Sequence, residues 1–213
     1  MNVINCIQGS SEWRSLRLGK ITGTRLGDAF KGSEALKNTL IAERMATYVP
    51  ETISSRAMQR GNELEPFARK LYEKRTGWTV EEVGFITHPT RPDFGLSPDG
   101  IISLGCMNVT AVEIKCPASK THIQYMRQNT VPQEYVFQLS AYFLNIPNLH
   151  TIDFVSYDEL NEVRPIHILT LKLEDILNAE YGKGKTIGSI GNLESKAFAF
   201  ADSVEAEYQR LIF

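Results

Sequence analysis

Apolar positions recur along this chain with two different periods, and the change between them divides it. Over residues 34–47, Leu36, Leu40, Ile41 and Met45 fall at the spacing of a helix with one buried stripe. Residues 56–76, "RAMQRGNELEPFARKLYEKRT", continue that period, with Pro66 as an expected break or kink and Gly77 as the stop. Upstream, the Ser10–Ser11 pair suits the start of a short helix reaching Leu18; Gly19 ends it and Thr22 can begin another. Apolar residues then alternate or run together in "WTVEEVGFITH", "GIISL" and "TAVEIKC", which read as strands, the last two joined through "GCMN". Helical spacing returns in "SKTHIQYMRQ" and, more strongly, in "PQEYVFQLSAYFLNI", with Pro132 near its first turn. Two further strands, "TIDFVSY" and "PIHILTLKL", precede a helical tail from Leu193. This order predicts an α/β (α+β) fold: a central mixed β-sheet flanked by helices.

With 213 residues, no repeat and no low-complexity linker, a single domain over 1–213 is expected. No apolar run is long enough to span a bilayer, so no membrane partner is expected. The opening "MNVINCIQGSSEW" lacks the basic start and apolar stretch of a secretion signal. Cys6, Cys106 and Cys116 cannot all pair and form no CxxC, which suits a reducing cytoplasm. Net charge is −2, but residues 1–80 hold 13 Lys and Arg against 8 Asp and Glu, and the remainder 10 against 17. A basic portion that could meet phosphates therefore precedes an acidic portion that could gather cations.

Several common chemistries fail on spacing. His88, His122, His150 and His167 show no HExxH or zinc-finger pattern and read as structural or surface residues. "GKGKT" at 182–186 resembles the end of a phosphate-binding loop, but Ala179 stands where its first glycine is needed; it reads as a flexible basic loop. "GLSPDG" carries Asp99 where a serine-hydrolase elbow needs glycine.

The chemistry that survives lies in "GLSPDGIISLGCMNVTAVEIKCP". On a strand, Glu113 and Lys115 share one face while Val112 and Ile114 take the other. Ser-Pro-Asp-Gly is a rigid turn that holds Asp99 at the start of the neighbouring strand, which brings it beside Glu113. Two adjacent carboxylates repel unless a cation or proton joins them, and hard divalent cations such as Mg²⁺ prefer such oxygens. The Ile114 carbonyl would lie near the same ion. A lysine at that position could orient or deprotonate a water, its pKa lowered by the cation. "GNELEP" offers a third carboxylate, Glu63 or Glu65, which spacing alone does not separate. Trp13 and Leu16 read as core residues.

Taken in order, "WRSLRLGKITGT", "GNELEP", "SPDG", "VEIKCP" and "QLSAY" resemble the phage lambda-type exonucleases, or viral recombinase nucleases, of the PD-(D/E)xK superfamily. The resemblance runs from about Trp13 to Tyr142. It implies a processive 5′→3′ exonuclease on linear double-stranded DNA that releases mononucleotides and leaves a 3′ single strand. It also implies a homotrimeric ring working with a single-strand annealing protein in the cytoplasm of a bacterial host. In that reading Asp99, Glu113 and the Ile114 carbonyl bind Mg²⁺, and Glu65 reaches a second ion, with Mn²⁺ as the alternative metal. Lys115 helps activate water, Gln138 holds that water or the lysine, and Arg17, Thr24 and Ser97 bind the terminal 5′ phosphate. Thr24 replaces the serine usual in the family but keeps its hydroxyl. A related endonuclease, or an inactive DNA-binding scaffold on the same fold, remains the alternative.

Overall fold

The computed structural model describes residues 2–46, 55–103 and 109–213; the expected "GCMN" connection, including Cys106, lies outside them. The central sheet has the order β5 (Gly100–Ser103), β6 (Val109–Lys115), β7 (Leu149–Tyr157) and β8 (Ile166–Leu171). Its outer pairs are antiparallel and β6–β7 is parallel, so the sheet is mixed, as the element order predicts. A parallel pair needs a long crossover. Here α5 (Ser119–Gln128) and α6 (Val136–Asn145) supply it and cover one face. Pro132 precedes a 3₁₀ turn, Gln133–Tyr135, that leads into α6.

The opposite face is covered by α4 (Arg56–Thr76), whose Ala68 and Tyr72 pack with Val112, Ile114, Val155 and Ile166. Each such aliphatic side chain contributes about 1.5–3 kcal/mol on burial. Helix α4 is capped by the Ser55 hydroxyl and ends at Gly77, whose φ of 77° suits a residue without a side chain. Pro66 does not end it: the helix runs on through Thr76, held by the Ala68 and Tyr72 contacts that follow the proline.

A second sheet, β1 (Asn2–Ile4), β3 (Phe85–Thr87), β4 (Phe94–Leu96) and β2 (Ile21–Thr22), in the order β1-β3-β4-β2, has no counterpart in the hydrophobic pattern except at Phe85–Thr87. The expected strand from Trp78 shortens to those three residues plus a lone bridge from Glu81 to Ile101. Gly95 in β4 is needed for close approach, since an added Cβ would lie 2.7 Å from the Ile86 carbonyl. Helix α1 (Ser11–Arg17) starts from the Ser10 cap and buries none of its residues, so Trp13 and Leu16 are not core. Thr22 precedes a 3₁₀ turn, Gly23–Arg25, that runs into α2 (Leu26–Phe30). In α3 (Glu34–Met45) the stripe is Leu36, Leu40 and Ile41, whereas Met45 is exposed.

After β8 come α7 (Leu173–Asn178), the hairpin β9 (Glu180–Gly182) and β10 (Lys185–Thr186), and the terminal α8 (Ile190–Ile212). Helix α8 packs on α2 and α3 and starts at Ser189, earlier than the Leu193 expected. Among the described residues no helix is long and apolar enough to cross a membrane.

Candidate active site

Strand β6 is buried on both faces but differs in what each face buries. Glu113 is 1% exposed and looks towards α6. There Gln138 Nε2 donates to its Oε1 at 2.6 Å, and the Tyr142 hydroxyl donates to its Oε2. Gln138 and Tyr142 are four residues apart on α6, hence one above the other on its sheet-facing side. Lys115, two residues along the strand, makes an ion pair with Glu113 Oε1. Its ammonium lies 5.0 Å from the centre of the Tyr135 ring, which closes the site from the 3₁₀ turn.

Asp99 sits beside Glu113 because Gly100 pairs with Val112. Its Oδ2 accepts the Ile114 N–H at 2.7 Å, which joins the Ser-Pro-Asp-Gly turn to β6. Burial first, and then Glu113, push the Asp99 carboxyl well above its ordinary range; Lys115 and the Ile114 bond oppose the shift. For Lys115 burial works against the ammonium, but Glu113 and Asp99 outweigh it and raise its pKa. The sequence reading had a cation lower it; the carboxylates alone do the reverse.

Glu65 on α4 completes the acidic group. Burial and Glu113 raise its pKa, while Arg69, one turn on, opposes the rise and donates to Oε1 at 2.5 Å. Arg69 also reaches the Asp99 carbonyl at 3.2 Å and Glu82 at 2.8 Å. Glu65 lines a cavity of about 910 Å³ together with Asp99, Arg69, Arg17 and Thr24, whereas Glu63 is exposed and outside it. The structure thus separates the two glutamates that spacing left equal.

Trp13 and Arg17 line the same cavity; Trp13 Nε1 donates to Ser97 Oγ at 2.7 Å, and Arg17 reaches the same oxygen at 3.4 Å. The Arg17 guanidinium stacks 4.2 Å from the centre of the Trp13 ring. Glu43, an acid whose charge acts on Arg17, is occupied by Arg25 at 2.5 and 2.8 Å. Among the described residues Arg17 has no carboxylate partner. Burial, followed by Arg25, lowers its pKa to about 10, with Glu43 opposing. Thr24 is exposed in the same cavity, its hydroxyl 3.4 Å from that of Thr22.

Residues 12–144, which carry all these groups, match the model of the YqaJ-like viral recombinase domain. The chain belongs to this family. The recombinase domain is also similar to the crystal structure of an alkaline exonuclease, LHK-Exo, from Laribacter hongkongensis. Identity is 32% over 95% of this chain and 96% of that one, with a TM-score of 0.79. The same exonuclease in complex with dAMP gives 33% identity, the same coverage and 0.78. The fold is therefore the PD-(D/E)xK-like fold of that exonuclease. A phage-related exonuclease from Haemophilus somnus 129PT, 13% identical over 91% of this chain and 95% of that one, shares the fold at a TM-score of 0.54. No curated protein matches.

Within this recombinase domain two cations already hold the acids: Lys115 takes Glu113 and Arg69 takes Glu65. Among the described residues no three His, Cys, Asp or Glu side chains are gathered as a ready-made metal cluster. The donors nonetheless fit a hard divalent cation by chemistry. Three partly or fully buried carboxylates meet one ammonium and one guanidinium, and burial first, with the neighbouring carboxylates adding to it, raises the Asp99 and Glu65 pKa values. Ile114 contributes its N–H to Asp99 here.

Sequence reasoning missed Tyr142 and Arg69 as members of the site, although "QLSAY" contains the first. The i, i+4 spacing of Gln138 and Tyr142 was the available signal. It also took Trp13 for core, when its indole N–H and ring face serve Ser97 and Arg17.

Proposed function

We propose that the protein is a Mg²⁺-dependent, processive 5′→3′ exonuclease on linear double-stranded DNA, releasing mononucleotides and leaving a 3′ single strand for annealing-based recombination. Family membership and the likeness to an alkaline exonuclease support a DNA exonuclease. Polarity rests on one observation: Arg17, a half-buried cation without a carboxylate partner among the described residues, opens into the same cavity as Asp99 and Glu65. A planar guanidinium suits a terminal phosphate, whose extra charge makes it a better partner than an internal one.

Asp99, Glu113, the Ile114 carbonyl and Glu65 would hold two Mg²⁺ ions, or Mn²⁺ in their place. When bound, such ions supply Lewis-acid charge that stabilises the attacking and departing oxygens of a phosphodiester. The chain's own groups do the rest. Gln138 and Tyr142 fix the Glu113 carboxylate from one side, and the Ile114 amide fixes Asp99. Lys115, held over Tyr135, places an ammonium where it can orient water and offset developing negative charge. Arg17 with Ser97 and Thr24 seats the 5′ end so that the next linkage meets the carboxylates. A homotrimeric ring, an annealing partner and a cytoplasmic location complete the proposal.

The test compares a linear duplex with a closed circle, with and without Mg²⁺. Nucleotide release from the linear form alone, abolished by EDTA, is the expected result. Cutting of the circle at the linear rate would contradict it.

A further inference from the structure

Beside the catalytic cleft lies a second cationic surface, which the nuclease reading does not use. Its first part is the "GKGKT" segment, which is not a loop but the tip of the β9–β10 hairpin. Lys185 pairs with Gly182, and Lys183 and Gly184 both have positive φ, 43° and 74°, as a tight two-residue hairpin turn requires. The Gly184 N–H donates to Glu180 Oε2 at 3.2 Å and closes the turn. Lys183 and Lys185 are exposed at its end.

Lys31 and Lys196, also exposed, extend this surface from two other elements. Lys31 Nζ lies 5.2 Å from the Phe137 ring centre and 5.8 Å from that of Tyr181; Lys196 Nζ lies 4.4 Å from that of Phe30. Phe30, Phe137 and Tyr181 pack against one another with centroids 4.8–6.0 Å apart, so the two lysines are posed over a fixed base. Among the described residues none of the four lysines forms an ion pair, whereas Arg44, Arg60 and Arg91 elsewhere on the surface do.

The surface adjoins the site. Phe137 directly precedes Gln138, β9 packs on the turn that carries Tyr135, and Lys31 follows the short helix that leads away from Thr24. Surfaces for single strands pair basic groups with open aromatic faces for base stacking. Here Phe30 and Phe137 are 7% and 8% exposed and, with the half-buried Tyr181, lie beneath lysines, which leaves charge with little open ring face for stacking. Charge spread over three elements, with the bases unread, is what the backbone of a duplex recognises.

We propose that Lys183, Lys185, Lys31 and Lys196 form a contact surface for the phosphate backbone of duplex DNA outside the catalytic cleft. This rests on the reading of the protein as a DNA nuclease. Binding of a blunt 5′-hydroxyl duplex is measured by anisotropy in EDTA across a salt series, for wild type and for a Lys183→Asn, Lys185→Thr double variant. Asparagine accepts positive φ and threonine suits a strand, so the hairpin is kept. Each lost phosphate contact lowers the slope of log affinity against log salt by about 0.9, so a reduction of about 2 is expected. Affinity for a single strand should change far less. A Lys31→Gln, Lys196→Gln variant should lower the slope by a similar amount and covers the case of a misfolded hairpin. An unchanged slope in both variants, or an equal loss on single strands, would overturn the proposal. With a wild type that binds and cuts duplex ends, that result removes this surface alone; a wild type that neither binds nor cuts removes the nuclease reading as well.

Discussion

Lys115 and Arg17 are two cations of one site, and they are held in opposite ways. Lys115 is paired with Glu113 and faces Asp99, and these acids raise its pKa despite burial. Arg17 has a tryptophan face and a long contact to Ser97; burial first, and then Arg25, lower its pKa to about 10. Glu43, the acid that opposes this shift, is taken by Arg25. The difference shows which cation the fold has committed to its own carboxylates and which it has left for an anion from outside. A charge partly withdrawn from water without a partner is costly, and such costs concentrate where a ligand offsets them.

Removing the committed cation should have the largest effect. Lys115→Ala leaves Glu113 buried without its counter-charge. Single-turnover release of nucleotides from a linear duplex should fall by about 10²–10⁴-fold, the range for a group that acts on a proton or on developing charge. Digestion at the wild-type rate would remove Lys115 from the mechanism.

Tyr142→Phe sharpens the same side of the comparison more gently. It deletes the hydroxyl that donates to Glu113 Oε2 but keeps the ring in the core. A buried acceptor that loses its donor costs about 1–3 kcal/mol, so chemical denaturation should show a loss in that range with little change in m-value. No loss of stability would mean that Glu113 is satisfied by Gln138 and Lys115 alone.

The smallest effect lies away from the cleft. Burial, then Arg164 and His122, hold the His167 imidazole below its ordinary value of 6.5. Below that value the unfolded chain takes up a proton that the folded chain resists. Stability therefore falls as pH drops from about 6.5 towards the lower native value. His167→Asn should flatten that part of the melting-temperature profile between pH 7.5 and 5.5; an unaltered profile would assign the acid loss to other groups.

How far the site could be read from the chain depends on the range of the interactions. Alternation in "VEIKC" places Glu113 and Lys115 opposite Val112 and Ile114, because the two faces of a strand follow from geometry alone. The mixed sheet and helices α3 to α6 are legible for the same reason, as each carries several turns or pleats of pattern. Strands of two or three residues, such as Ile21–Thr22 and Phe94–Leu96, carry no period and exist through pairing with distant segments. The i, i+4 spacing allows Arg69 to meet Glu65, but its reach to Glu82 and the Asp99 carbonyl joins separate stretches, and no spacing announces that. Pro66 does not break its helix because a local cost is outweighed by packing further along it.

The central claim, that Arg17 waits for a terminal phosphate while Lys115 serves the carboxylates, is tested by one ratio. Degradation rates of linear duplexes ending in 5′-phosphate and 5′-hydroxyl are compared for wild type and for Arg17→Gln. A charge-assisted, bidentate contact is worth about 1.5–3 kcal/mol, so the wild type should prefer the phosphate by roughly 10- to 150-fold. In Arg17→Gln the ratio should collapse towards one, with the rate on the hydroxyl end preserved. A variant that keeps the wild-type ratio, or a wild type with none, would contradict the account.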